Sequence, residues 1–340
     1  MIICQPPIRP KNKHLQSVLA SSKIRLLRLR KNNPVVANQV EQELESPLAT
    51  LLGHYTANTR ESDTVAILLH GWEGSSQSTY IQLLANSLYA EGLDIYRLNL
   101  RDHGDSHHLN EDLFHSCRIE EVVQAVQNIQ AQFPNKKFIL CGFSLGANFA
   151  LRIASRAKEA GLSFEHVFAV SPPLIPKNSM DAIHGSKLYN SYFLKKWKRS
   201  LHIKNKLYPH IFNDQRWQQE ENLEKLTQML ILDHTEYNTT DDYFSGYSIT
   251  PDIIRSINCP TQVITAWDDP VIPFKDFSTI DRLPEIKLIT TAHGGHCGFI
   301  QGWRMRSWIE DHIIETCVIK PLHNERASPR KMSLRKLRRK

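Results

Sequence analysis

From about Leu48 the chain alternates short apolar runs with stretches of helical periodicity. That is the pattern of strand–helix–strand units and a mostly parallel sheet. VAILLH (65–70), DIYRLNL (94–100), KFILCG (137–142), HVFAVS (166–171), TQVITAW (261–267) and IKLITTA (286–292) are dense in Val, Ile and Leu, as strands buried on both faces are. Helical spacing covers 78–91, 119–132, 145–160, 276–283 and 300–316, and residues 48–56 predict one or two antiparallel edge strands. Residues 172–260 break the rhythm, being far longer than a parallel crossover needs. Amphipathic, aromatic-rich stretches at 189–197 and 217–232 predict helices packed over the sheet, with a loop around 241–250. An insertion of that length in a compact domain is often a lid or binding element. The expected organisation is α/β: a basic arm over 1–47, a domain over 48–319 with a cap at about 175–250, and a basic tail over 320–340.

The chain has 340 residues, 41% hydrophobic and 23% charged, enough for a sizeable core and unlike disordered, collagenous or coiled-coil chains. The net charge of +7 sits at the ends. Residues 1–31 carry eight Lys or Arg and no acid, and residues 320–340 carry nine against Glu325, so the body is acidic. No nucleic-acid motif accompanies the charge, and no specific nucleic acid is expected. The tail reads as a solvated segment, or as a contact with an anionic membrane surface. Six scattered cysteines without a C-x-x-C pair indicate neither a zinc site nor a disulfide framework. The N-terminus is broken by Pro6, Pro7 and Pro10, and no run is long and apolar enough to span a bilayer. A cytoplasmic protein, at most peripheral to a membrane, is the expectation.

In KFILCGFSLGANFALRIA (137–154) an apolar strand runs through Gly142-Phe143-Ser144-Leu145-Gly146 directly into a helix. This is a nucleophile elbow: a strained turn presents the Ser144 hydroxyl at the carboxyl end of the sheet, and Gly142 and Gly146 permit the tight crossing. A serine hydroxyl needs a base, and in this arrangement the chain order is serine, acid, histidine. ITAWDDPVIP (264–273) places Asp268 and Asp269 just beyond a strand, and TTAHGGHCGF (290–299) places His293 and His296 beyond the last one. Loop position favours Asp269, which directly precedes Pro270, with Asp268 as the alternative acid. It favours His296 over His293 as base. The loop AILLHGWEGSS (66–76) predicts an oxyanion hole from the N–H groups of Trp72 and Leu145.

Other residues carry lesser expectations. His70 braces its loop, Glu73 is an ion-pair partner, and Arg101 pairs with Asp102. His107 and Asp112 have an H-x-x-x-x-D spacing seen in some acyltransferases. Cys297 is a packing residue, and Trp72, Trp267 and Trp303 are candidates to line an acyl pocket.

At these residues the chain resembles the YheT-like branch of the α/β-hydrolases, also called the AB hydrolase-4 family. The resemblance rests on GFSLGAN, NKHLQSVL (12–19), the HG-x-E-G-S loop at 70–75, DDPVIP and GGHCGF. It implies the α/β-hydrolase fold, esterase or lipase activity on acyl esters, the stated roles at Ser144, Asp269 and His296, and no cofactor. Trp72 stands where a Leu is usual, Ala147 where Gly is common, and Lys13 replaces a Gly. Three readings compete: a serine carboxylic-ester hydrolase on a small-molecule or lipid ester, an acyltransferase on the same scaffold, and a non-catalytic hydrolase-like binding protein.

Overall fold

The computed structural model describes residues 1–29, 33–212, 215–278, 280, 283 and 286–317. The basic tail at 320–340 lies outside them. The chain opens with strand β1 (Ile2–Cys4), helix α1 (Lys13–Ser21) and the short α2 (Pro34–Ala37), then forms a hairpin of β2 (Val40–Glu45) and β3 (Thr50–Thr56). The repeating units follow: β4 (Thr64–Leu69), α3 (Thr79–Ala90), β5 (Asp94–Leu98), α4 (Ile119–Gln132), β6 (Lys137–Phe143), α5 (Leu145–Arg156) and β7 (His166–Val170). An inserted block carries α6 (Pro176–His184), α7 (Lys187–Leu207), α8 (Leu223–His234), α9 (Thr240–Gly246) and α10 (Pro251–Arg255). The sheet resumes with β8 (Thr261–Ala266) and β9 (Ile286–Thr291), and the described chain ends in a two-residue ribbon, β10 (Ile300–Gln301) with β11 (Arg306–Ser307), and α11 (Trp308–Cys317).

Nine strands form one sheet in the order β1-β9-β8-β7-β6-β4-β5-β3-β2. Pairing is parallel from β1 through β5 and antiparallel where β3 meets β5 and β2. The six apolar runs all become strands because each is covered on both faces. Val65, Ile67 and Leu69 of β4 join the layer containing Val122, Val126 and Phe149 of α4 and α5. Ala66 and Leu68, pointing the other way, join Ile81 and Leu84 of α3 and Ile309 and Ile313 of α11. From β4 the chain turns first to β5 and then crosses back to β6, so the strand order reverses at β4. Crevices for ligands open at such a reversal, beyond the carboxyl ends of the strands.

Four local expectations differ from the structure. The described residues among 1–47 pack onto the domain where an arm is expected: β1 pairs with β9, β2 extends the opposite edge, and Arg25 and Arg28 bind the buried Glu310 of α11. The loop expected at 241–250 contains α9, started by Thr239, whose hydroxyl accepts the Asp242 N–H at 3.1 Å. At 276–283 the described residues hold a 3₁₀ turn, Phe274–Ser278. The last helix begins only at Trp308, because Gly302 and Met305, at φ of 53° and 48°, turn the chain back on itself first.

The inserted helices cover the reversal point. Leu201 of α7 and Leu226 and Leu230 of α8 pack with Leu113, Phe212 and Trp217. Lys204 of α7 reaches Asp102 beyond β5 at 2.8 Å, with the carbonyls of His107 (3.3 Å) and Asn110 as its other acceptors. Both side chains of this ion pair are buried. Arg101, expected to pair with Asp102, binds Glu121 of α4 at 2.7 Å instead. The competing cation, Lys204, comes from the inserted helices, and no local spacing in the sequence shows that it docks on Asp102.

Candidate active site

Ser144 links β6 to α5 at φ 52°, ψ −119°, a left-handed conformation that costs a non-glycine residue about 1–3 kcal/mol and persists only where surroundings enforce it. They do so here. A Cβ on Gly142 would lie 2.1 Å from the Gly146 carbonyl oxygen, and one on Gly146 would lie 2.4 Å from that of His70. The Ser144 N–H donates to Val170 on the neighbouring strand at 2.8 Å, and its carbonyl accepts from Ala147 and Asn148 of α5. Its hydroxyl is thereby held outside the helix, making no cap bond, and remains partly exposed.

The Ser144 hydroxyl lies 2.9 Å from His296 Nε2, and His296 Nδ1 lies 3.0 Å from Asp269 Oδ2. The Asp269 side chain is wholly buried, and its other oxygen accepts the N–H groups of Val271 (2.8 Å) and Ile272 (3.0 Å). Those bonds orient the side chain toward His296. Burial works against a charged His296, but Cys297 and Asp269 overcome it, and its pKa stands well above 6.5. The neighbouring acid and histidine form a separate pair: Asp268 Oδ2 is 3.2 Å from His293 Nδ1, and Oδ1 accepts the Gly295 N–H at 2.9 Å.

The loop after β4 closes against the elbow, a Cβ on Gly71 falling 3.1 Å from Ser144 Cβ. His70 donates through Nδ1 to the Gly71 carbonyl (2.8 Å) and accepts the Leu100 N–H at Nε2 (3.1 Å). Burial pushes its pKa down to about 4, so it is a neutral brace. Among the described residues, no acceptor takes the N–H of Trp72 or Leu145. The Glu73 carbonyl accepts from Lys196 of α7 at 2.8 Å; burial raises the Glu73 carboxyl to about 8.

A cavity of about 110 Å³ runs from Ser144 beneath the inserted helices. Its walls are largely apolar, with Leu113, Phe114, Met180, Ile183, Leu230 and Ile231 among them. The Trp72 ring stacks on Phe193 (5.2 Å, 12°) and meets Trp197 edge-on, all three bordering the cavity. Trp267 and Trp303, proposed from sequence as companions, stand elsewhere: Trp267 is 45% exposed and Trp303 fully so. His107 and Asp112 take different partners, Ser200 at 2.7 Å and Arg118 at 3.6 Å. Cys297 is buried, its Sγ 4.0 Å from the Val170 carbonyl oxygen.

Residues beside the site that pattern reading had not singled out individually lie on α1 and α7. Ser17 accepts the His296 N–H at 2.8 Å, Gln16 accepts the Ile300 N–H at 2.7 Å, and His14 bonds the Tyr189 hydroxyl at 2.9 Å. A Cβ on Gly295 would lie 2.4 Å from the Lys13 carbonyl oxygen and one on Gly298 2.6 Å from that of Gln16, so these two glycines of GGHCG serve the close approach of α1. The segment NKHLQSVL was the available signal, though nothing local told where it docks.

The family model Hydrolase_4, described as serine aminopeptidase, S33, matches residues 60–297. "Putative esterase YheT" of Escherichia coli K12 is 26% identical over 73% of this chain and 74% of its own. A monoacylglycerol lipase of Saccharomyces cerevisiae is 23% identical over 79% of this chain and 61% of its own, and human phospholipase ABHD3 is 22% identical over 74% and 63%. The chain thus spans somewhat under two thirds of the latter two. Among solved structures, the Pyrococcus furiosus esterase Pf2001 superposes with a TM-score of 0.56 at 19% identity, over 82% of this chain and 88% of its own. A 2,6-dihydroxy-pseudo-oxynicotine hydrolase reaches 0.56 at 16%, over 83% and 68%. Strand order, elbow and family match agree, and the chain belongs to the Hydrolase_4 family of α/β hydrolases as a YheT-like member.

Proposed function

We propose that this protein is a serine carboxylic-ester hydrolase working through an acyl-enzyme, with Ser144 as nucleophile, His296 as base and Asp269 as the acid that orients it. The observation that carries the reading is the continuous relay from Ser144 through His296 to the buried Asp269, at 2.9 and 3.0 Å, at the end of an apolar cavity.

Ser144 Oγ adds to the ester carbonyl carbon while its proton passes to His296 Nε2. The oxyanion faces the uncommitted N–H groups of Trp72 and Leu145, beside the positive end of α5. As the tetrahedral adduct collapses, the bond to the alkoxy oxygen breaks and His296 returns the proton to the leaving alcohol. Water then adds to the acyl-enzyme, His296 taking its proton, and the carboxylic acid leaves as Ser144 is regenerated. Asp269, held by two backbone N–H groups, keeps Nδ1 protonated and stabilises the imidazolium.

The cavity walls suit an acyl chain, and the names of the lipase and phospholipase relatives support a lipid ester, monoacylglycerol among the candidates. The test is hydrolysis of p-nitrophenyl esters from acetate to palmitate by wild type and Ser144→Ala, with fluorophosphonate labelling of both. Turnover and labelling lost together in the variant is the expected result. A folded wild type that neither turns over nor labels overturns the reading.

A further inference from the structure

We infer that α1 and α7 together form a docking face for an anionic lipid surface, on the outer side of the helix that walls the Ser144 cavity and of the helix that holds the His296 loop. Two stretches of the chain lack acid altogether: residues 1–40, and 182–213, which include the whole of α7 with its seven Lys and Arg. Within their described residues, Lys204 is neutralised by Asp102 and Arg25 and Arg28 by Glu310, whereas Lys11 and Lys13 of the first stretch and Lys195, Arg199 and Lys206 of the second are exposed on the folded chain.

The outer stripe of α7 follows helical spacing through Leu188, Tyr192, Lys195, Arg199, Ile203 and Lys206, all exposed. Over its 21 residues such a helix is about 30 Å long. On α1, Leu15 and Val18 stand one turn apart and 45% and 51% exposed, with Lys11 and Lys13 exposed beside them. Exposed apolar side chains interleaved with fixed positive charge are the signature of a surface that enters the headgroup layer. A polyphosphate backbone offers no partner for the Leu, Val and Ile side chains, which favours lipid over nucleic acid.

The two elements meet at the site. His14 of α1 bonds Tyr189 of α7, and Ser17 holds the His296 N–H. The inner side of the same α7 supplies Phe193 and Trp197 to the cavity wall. The docking stripe is therefore the back of the wall that lines the acyl cavity, and seating it on a bilayer places one cavity-lining helix directly against the lipids. No helix among the described residues is long and apolar enough to cross a membrane, so contact through this face is peripheral.

Binding is read without turnover, so this inference is separable from the hydrolase reading. Full-length protein, with residues 320–340 in place, is sedimented with phosphatidylcholine vesicles with and without phosphatidylserine. Wild type is expected to pellet with the anionic vesicles only, releasing as salt rises. Lys195→Glu/Arg199→Glu should weaken that binding by at least about tenfold. Val18→Ser/Leu188→Ser should leave only a fully salt-reversible remnant. Both pairs should retain wild-type turnover of a soluble short-chain ester, which shows that they fold. Wild type that ignores anionic vesicles, or both pairs pelleting as wild type does, overturns the inference. So does retention on heparin without vesicle binding, which assigns the face to another polyanion.

Discussion

The hydroxyl of Ser17 accepts the backbone N–H of His296 at 2.8 Å across 279 positions of sequence. The N-terminal helix therefore fixes the loop that carries the proposed base. Ser17→Ala removes one hydrogen bond from a partly buried site, typically worth about 0.5–1.5 kcal/mol. Turnover of a soluble ester should fall by about three- to tenfold with KM little changed, since Ser17 contributes to loop position rather than to substrate contact. Steady-state kinetics of the folded variant check this, and a change confined to KM would contradict it.

The adjacent aspartates should be far from equivalent. Asp269→Asn abolishes the carboxylate that orients His296 and should cost about 10⁴ in kcat. Asp268→Asn touches only the His293 and Gly295 contacts and should cost much less, about tenfold or under on the scale of one lost hydrogen bond. Comparing kcat/KM of the two on one ester decides the assignment; the reverse ranking would move the proposed acid to Asp268.

The rate should depend on pH through His296. Its pKa lies well above 6.5, Cys297 and Asp269 outweighing burial, and only the neutral imidazole takes the Ser144 proton. At pH 6.5 most of the enzyme therefore carries the imidazolium, and kcat/KM should be below half its plateau and climb as pH rises. Removing the Asp269 charge withdraws part of the opposition to burial. The acid limb of residual Asp269→Asn activity should shift to lower pH, and a profile already flat at pH 6.5 for wild type would exclude the elevated pKa.

Stability should depend on Glu310. It accepts Arg28 at both oxygens (3.1 and 2.9 Å), Arg25 at 3.3 Å, Ser87 and the Ser307 N–H. Glu310→Gln leaves the buried Arg25 guanidinium without its charge and should destabilise by about 3–5 kcal/mol. Although burial opposes the carboxylate, the arginines prevail and hold its pKa below 4.5. A carboxylate depressed on folding stabilises above its unfolded pKa, and that contribution is lost as pH falls through the folded value. The gap between wild type and variant in denaturant titrations should accordingly be full near neutrality and shrink below pH 4.5; a gap independent of pH would refute the pairing as its source.

The features legible along the chain are local in origin. Uninterrupted Val-, Ile- and Leu-rich runs can be covered only as strands buried on both faces, and Gly142 and Gly146 flank Ser144 because no Cβ fits at that crossing. Asp269 and His296 were legible as carboxyl-end loop residues; the fold brings them to each other, and Asp268 and His293 into a separate pair. Tertiary structure alone decided the rest. Lys204 took Asp102 from Arg101, and Glu310 claimed two arginines of the expected basic arm. Tyr189, His14 and Ser17 converged beside the base. An ion pair or long-range hydrogen bond leaves no trace in periodicity, because its energy depends on a partner that folding brings within about 3 Å. Strands announce themselves through the burial of many consecutive residues, whereas these contacts rest on single polar side chains whose neighbours only the assembled fold supplies.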